Sequence, residues 1–201
     1  MAIEVARSGG EFQPVLCLAA ATQDTPTSLL GVKVASETDA EIRQALQHTP
    51  WAFVAVGNNA LRQRLSLKLT ALGYSLATLV ASSAWVSPSA RVGAGSILMP
   101  NAVLGADAEI GCGVIVNTSA TVDHDCRIES FAHLAPGVHL AGNVRVGQAA
   151  FVGIGANVVP QKSIGAGAMV GAGAVVVSDI PAAETWVGCP ARRLARRAHA
   201  A

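Results

Sequence analysis

Residues 116–140 read VNTSATVDHDCRIESFAHLAPGVHL, with an aliphatic residue at every sixth place: Val116, Val122, Ile128, Leu134 and Leu140. Stepping outward by six, the register holds back through Ile110, Leu104, Leu98 and Val92 to Val86. It holds forward through Val146, Val152, Val158, Ile164 and Val170 to Val176. Ile, Leu and Val make up roughly a third of such a stretch, so sixteen hits in sixteen steps has a chance probability on the order of 10⁻⁸ and marks a structural repeat.

The other places in the hexad have characters of their own. With the aliphatic residue as position one, position five is small or apolar, as at Ala102, Ala108, Val114, Ala120, Cys126 and Ala132. Positions five and one lie two apart and so point to the same side of a strand. Position four is rich in Gly, Asn and Asp, as at Gly95, Asn101, Asp107, Gly113, Asp125 and Asn143, the residues that tolerate φ > 0. Each hexad therefore reads as a short strand and a tight corner, and the chain winds as a β-solenoid with positions one and five inside.

Ahead of the repeat, Pro14 to Ala20 and Trp51 to Val56 read as buried strands, and Asp39 to Gln47 and Asn59 to Leu72 as helices. Asp39 is the expected N-cap of the first helix and Gly73 the C-cap of the second; Leu76 to Val80 gives a third strand running towards the solenoid. This alternation predicts a small α/β domain with a parallel sheet. The expected domains are 1–82, 83–179 and a C-terminal tail, 180–201.

Composition narrows the partners. Charged residues are 13% and the net charge is +1, with no basic stripe along the body, so nucleic acid is not an expected partner. The four cysteines, Cys17, Cys112, Cys126 and Cys189, contain no C-x-x-C pair and read as reduced thiols of a cytoplasmic protein. No secretory leader and no run of ~18 apolar residues is read, so no membrane association is expected.

Several motifs follow one another in order: Val56-Gly57-Asn58-Asn59, Ser87-Pro88-Ser89-Ala90, Asn117-Thr118-Ser119, Val122-Asp123-His124-Asp125-Cys126, Ala141-Gly142-Asn143-Val144 and Val187-Gly188-Cys189-Pro190-Ala191. With them the chain resembles, over nearly its whole length, the bacterial sugar acyltransferases of the left-handed β-helix (hexapeptide repeat) superfamily. That family includes nucleotide-amino-sugar N-acetyltransferases and sialic acid O-acetyltransferases. The resemblance implies a left-handed parallel β-helix with eighteen-residue triangular coils, a small Rossmann-like N-terminal domain, a homotrimer with active sites between subunits, and acetyl-CoA as co-substrate without a metal. Two departures fall on the acceptor side. The chain opens at Ala2-Ile3-Glu4-Val5-Ala6-Arg7, like the family's first helix already under way, so the first βα unit and its Gly-rich loop are missing from the pattern. An acidic pair common in the family is replaced by Leu18-Ala19-Ala20.

Acyl transfer from a thioester needs a base to take a proton from the nucleophile, and a neutral imidazole suits that role near pH 7. His124, at a corner position, is the expected general base. Asp125 resembles the family's acidic neighbour, which would make the imidazole more basic; at position four it serves equally well as a turn residue. Gly142 lies eighteen beyond His124, so the two stack on one corner; its bare backbone would admit the thioester, and an N–H there would steady the oxyanion. By resemblance, Ile154 and Ala172 line the CoA groove, His133 contacts acetyl-CoA, and Gly57, Asn58 and Asn117 bind the acceptor. His139 has no counterpart and reads as structural. His124, His133 and His139 stand too close in sequence for the zinc site of the related γ-class carbonic anhydrases, and Cys126 is inward, unfit as a nucleophile. Arg192, Arg193, Arg196 and Arg197 either meet CoA phosphates or form a solvated basic helix end. The leading expectation is N-acetylation of a nucleotide-linked amino sugar. O-acetylation of a sugar hydroxyl and a non-catalytic homologue with a lost acceptor site remain open.

Overall fold

The computed structural model describes residues 1–20, 22 and 24–194. From Leu79 onward the chain forms three parallel ladders whose partners lie eighteen residues apart, such as Val103↔Thr121 and Thr121↔His139. This is the left-handed β-helix, a triangular prism with three flat faces. Apart from Val86 and Val92, which are half-buried, every position-one residue from Leu98 to Val176 is buried, and the small position-five residues fill the space between them. Position four has positive φ all along the repeat, at Gly95, Asn101, Asp107, Gly113, Ser119 and Asp125, but also at Phe131, Ala149 and Gln161. Gly105 shows why position two is so often bare: a Cβ there would lie 2.7 Å from the His124 backbone nitrogen in the next coil.

The faces differ outside. One carries Arg91, Glu109, Arg127, Arg145 and Ser163 outward, with an Arg127–Glu109 ion pair at 3.6 Å. A second carries Trp85, Val103, Thr121, His139, Asn157 and Val175; we call it the groove face. The third, from Leu79–Val80 to Met169–Val170, is covered at its start by the N-terminal residues and is called the docked face. The tail continues the docked face: Thr185–Val187 pairs with Met169–Val170, and Arg192–Arg193 pairs antiparallel with Thr185–Val187.

The residues ahead of the solenoid form α1 (Ala2–Gly9), β1 (Leu16–Ala19), β2 (Ser28–Leu29), β3 (Val32–Ser36), α2 (Asp39–Leu46), β4 (Trp51–Ala52), α3 (Asn59–Ala71) and β5 (Ser75–Leu76). The opening segment is indeed a helix, whose Val5 and Ala6 pack with Leu79, Ile97 and Met99 of the docked face. In place of a single parallel sheet there are two pieces: β1-β3-β2, with an antiparallel β2–β3 hairpin, and a parallel β4–β5 pair. The hairpin escapes a reading of the sequence because its two-residue turn, Leu30-Gly31, places Leu at φ 50, where Asn or Asp is the usual signal. The N-cap of α2 is Thr38, whose hydroxyl accepts from the Glu41 N–H at 3.2 Å, and not Asp39, which sits in the first turn. Asn58 caps α3, and Gly73 follows it at φ 97.

Candidate active site

The vertex between the groove face and the charged face is built from residues 123–126 and their equivalents eighteen apart. At this vertex the His124 ring projects outward, more than half exposed. Its Nδ1 lies 2.8 Å from Asp125 Oδ2. A carboxylate can only accept, so Nδ1 carries the proton and Nε2 keeps its lone pair. Asp125 achieves this geometry from φ 59, so the turn and the histidine contact are one conformation. The hydrogen bond that His124 donates to Asp125, aided by the nearby Asp123 charge, raises the His124 pKa above the ordinary imidazole value. Asp123 Oδ1 accepts the His124 backbone N–H at 2.8 Å and pins the corner.

Gly142 lies beneath the ring. A Cβ there would be 2.5 Å from His124 Nε2, so the ring occupies space that any other residue would claim. Below the corner, Cys126 is fully buried, and its thiol donates to the Ala141 carbonyl at 3.2 Å; burial pushes its pKa up. An open groove of about 780 Å³ runs along the groove face past this vertex, from Trp85 to Pro160, with Asp123, His124, Thr121 and His139 on its wall. His139, expected to be merely structural, is exposed there, with Nδ1 2.8 Å from Thr121 Oγ1. Sequence gave no sign of this, because an outward ladder position looks the same on all three faces.

The remaining expected site residues gather elsewhere. On the docked face, His133 has Nδ1 3.4 Å from the Gly57 carbonyl, Nε2 3.3 Å from Asn117 Nδ2, and its ring edge-on to Phe151 at 5.1 Å. Burial, with the nearby Arg62 charge, lowers the His133 pKa. Asn58 spends its side chain on capping α3, its Oδ1 accepting from Leu61 N–H at 2.9 Å. Asn117, Ile154 and Ala172 share the vertex between the docked and groove faces; Ile154 is 60% exposed. In a triangular coil the vertex bearing His124 is opposite the docked face, so one chain does not bring His124 to Gly57, Asn117 and His133. Arg192 and Arg193 belong to a strand, not a helix end, and Arg193 pairs with Glu184 at 3.1 Å. Arg196 and Arg197 lie outside the described residues. Among the described residues, no three His, Cys, Asp or Glu side chains converge as a metal site would require.

No protein-family model matches the sequence. A point mutant of perosamine N-acetyltransferase from Caulobacter crescentus, solved with CoA and GDP-perosamine, superimposes with a TM-score of 0.89 at 40% identity, covering 96% of this chain and 90% of that one. The chain belongs to the hexapeptide-repeat sugar acyltransferases. The acetyltransferase domain of PglB from Neisseria gonorrhoeae agrees, with a TM-score of 0.88, 41% identity and coverage of 96% and 93%. WeeI from Acinetobacter baumannii is more distant, at 0.76, 30%, 85% and 82%. This acyltransferase keeps the solenoid of its relatives, and no helix among its described residues is long and apolar enough to cross a membrane.

Proposed function

We propose that this acyltransferase moves the acetyl group of acetyl-CoA directly to the amino group of a nucleotide-linked amino sugar, in the cytoplasm, with His124 as general base. The observation that carries the chemistry is the His124 ring, held by Asp125 through Nδ1 and seated on Gly142 with Nε2 free at the groove. Nε2 takes the proton as the amine attacks the thioester carbonyl, and a backbone N–H by Gly142 stabilises the oxyanion. The amine, rather than a hydroxyl, is favoured by the perosamine N-acetyltransferase likeness over most of both chains.

The opposition of His124 to the docked face supports a homotrimer with shared sites. The vertex bearing His124 and Gly142 on one copy would meet the vertex bearing Asn117, Ile154 and Ala172 on the next. Residues 1–82 then act as the acceptor-binding unit, with Gly57, Asn58 and Asn117 on the acceptor side. His133, by the family resemblance of its motif, faces the acetyl donor. The groove face, with Trp85 56% exposed and Val103 and Val175 half-buried, is the face free to turn towards the neighbouring copies.

The test measures acetyl-CoA-dependent CoA release with GDP-perosamine and, in parallel, with sugars offering only hydroxyls. Release with the amine alone supports the proposal; release with hydroxyls alone, or none with either, sinks it.

A further inference from the structure

Arg62, in the first turn of α3, is 1% exposed, and among the described residues no carboxylate pairs with it. Its guanidinium is instead satisfied by oxygen dipoles on every nitrogen. Nε donates to Gly113 O at 2.7 Å; Nη1 to Val56 O at 3.0 Å and Gly57 O at 3.2 Å; Nη2 to Phe131 O at 2.7 Å, Asn59 Oδ1 at 2.9 Å and Ala132 O at 3.3 Å. Burial lowers its pKa to about 10, which leaves it a cation at neutral pH. A buried cation is retained only where its geometry is met in full, and the planar fork of arginine meets a set of carbonyls that an ammonium cannot.

These carbonyls fall in two groups. Gly113 and Phe131 stand eighteen apart at position four of one corner, both at positive φ. The next residue in that stack, Ala149, takes Asn59 Nδ2 at 2.9 Å. The start of α3 is thus docked on three successive coils. The other group is the loop of Val56 and Gly57, and the Gly57 carbonyl is shared with His133 Nδ1. That sharing fixes the His133 tautomer: Nδ1 donates to the carbonyl, and Nε2 accepts from Asn117.

We infer that Arg62 is a positioning residue that locks the Val56–Asn58 loop onto the solenoid in the arrangement that receives the acceptor. It touches neither reacting group. This role rests on the assignment of Gly57 and Asn117 to the acceptor side, and it makes acceptor recognition, rather than donor binding, depend on Arg62.

Arg62→Lys keeps the charge but loses the fork. The variant should raise the acceptor KM at least tenfold while the acetyl-CoA KM stays within about twofold, and amides 56–62 should exchange hydrogen faster. Val176→Ala, a core truncation at the far end of the solenoid, serves as the stability control and should leave the acceptor KM unchanged. An unchanged acceptor KM in Arg62→Lys, or equal rises in both KM values, overturns the role. Should the wild-type protein show no acetyl transfer to GDP-perosamine, the functional assignment fails by itself. The exchange measurement then still decides the lock, which unaltered protection of residues 56–62 would refute.

Discussion

At Gly142 the absence of a side chain leaves the His124 ring the place it occupies. Gly142→Ala would put a methyl 2.5 Å from Nε2, and the exposed ring, the softer partner, should swing off its Asp125 contact. Its backbone has negative φ, so the solenoid should tolerate the change; the expected result is a large loss of kcat with an unshifted melting temperature. His124→Ala should lower kcat by about 10²–10⁴, the usual contribution of a general base, again with the fold intact. Asp125→Asn tests the tuning. Asn tolerates the φ of 59 and keeps the corner, but its neutral amide replaces the charged acceptor whose hydrogen bond raises the His124 pKa. With the neutral ring as the working form of the proposed base, activity should rise with pH through that pKa. The acid limb of the kcat/KM profile should therefore move to lower pH in Asp125→Asn, while the plateau falls because the base is weaker. An unmoved limb would detach Asp125 from the chemistry.

Among the elements, the coil stack owes its stability to two features that act separately. Leu134, fully buried beneath the docked face, fills the interior; Leu134→Ala should cost about 2–5 kcal/mol through lost burial and the cavity left behind, read by chemical denaturation. Gly105 governs the spacing between coils. Gly105→Ala would press a methyl onto the His124 backbone, which cannot rotate away, and should cost on the order of 1–3 kcal/mol through overpacking. The corner that receives α3 shows how elements meet. Its position-four residues include Phe131 and Ala149, neither a usual left-handed residue. Their carbonyls are the ones that Arg62 and Asn59 hold. Gln161, at another corner, breaks the Gly- and Asn-rich pattern just as much, so the irregularity of Phe131 and Ala149 is legible only once the docking is known.

For the whole molecule, the separation of His124 from the acceptor-side cluster predicts complementation between subunits. His124→Ala and Asn117→Ala, each inactive or impaired alone, should on unfolding and refolding together at equal amounts recover activity towards about a quarter of wild type, as random assembly of a closed symmetric oligomer gives sites with both intact halves. No recovery would place the whole site within one chain. Light scattering should give a trimer mass.

The sequence by itself determined the solenoid, because a six-residue period in size and turn tolerance is a local property: each hexad states which residue goes inside and where the corner falls. It also marked His124, Asp125 and Gly142, since an eighteen-residue repeat converts spacing directly into stacking. Tertiary structure alone decided that the residues ahead of the solenoid dock away from His124, that Arg62 is buried among carbonyls, that His139 faces the groove and that the strands ahead of the solenoid form two pieces. The docking of α3 and the burial of Arg62 depend on contacts between residues about 50 to 90 positions apart, such as Arg62 with Gly113 and Asn59 with Ala149. No periodic signal connects such pairs, and an arginine in a helix reads the same whether it faces solvent or a stack of backbone oxygens.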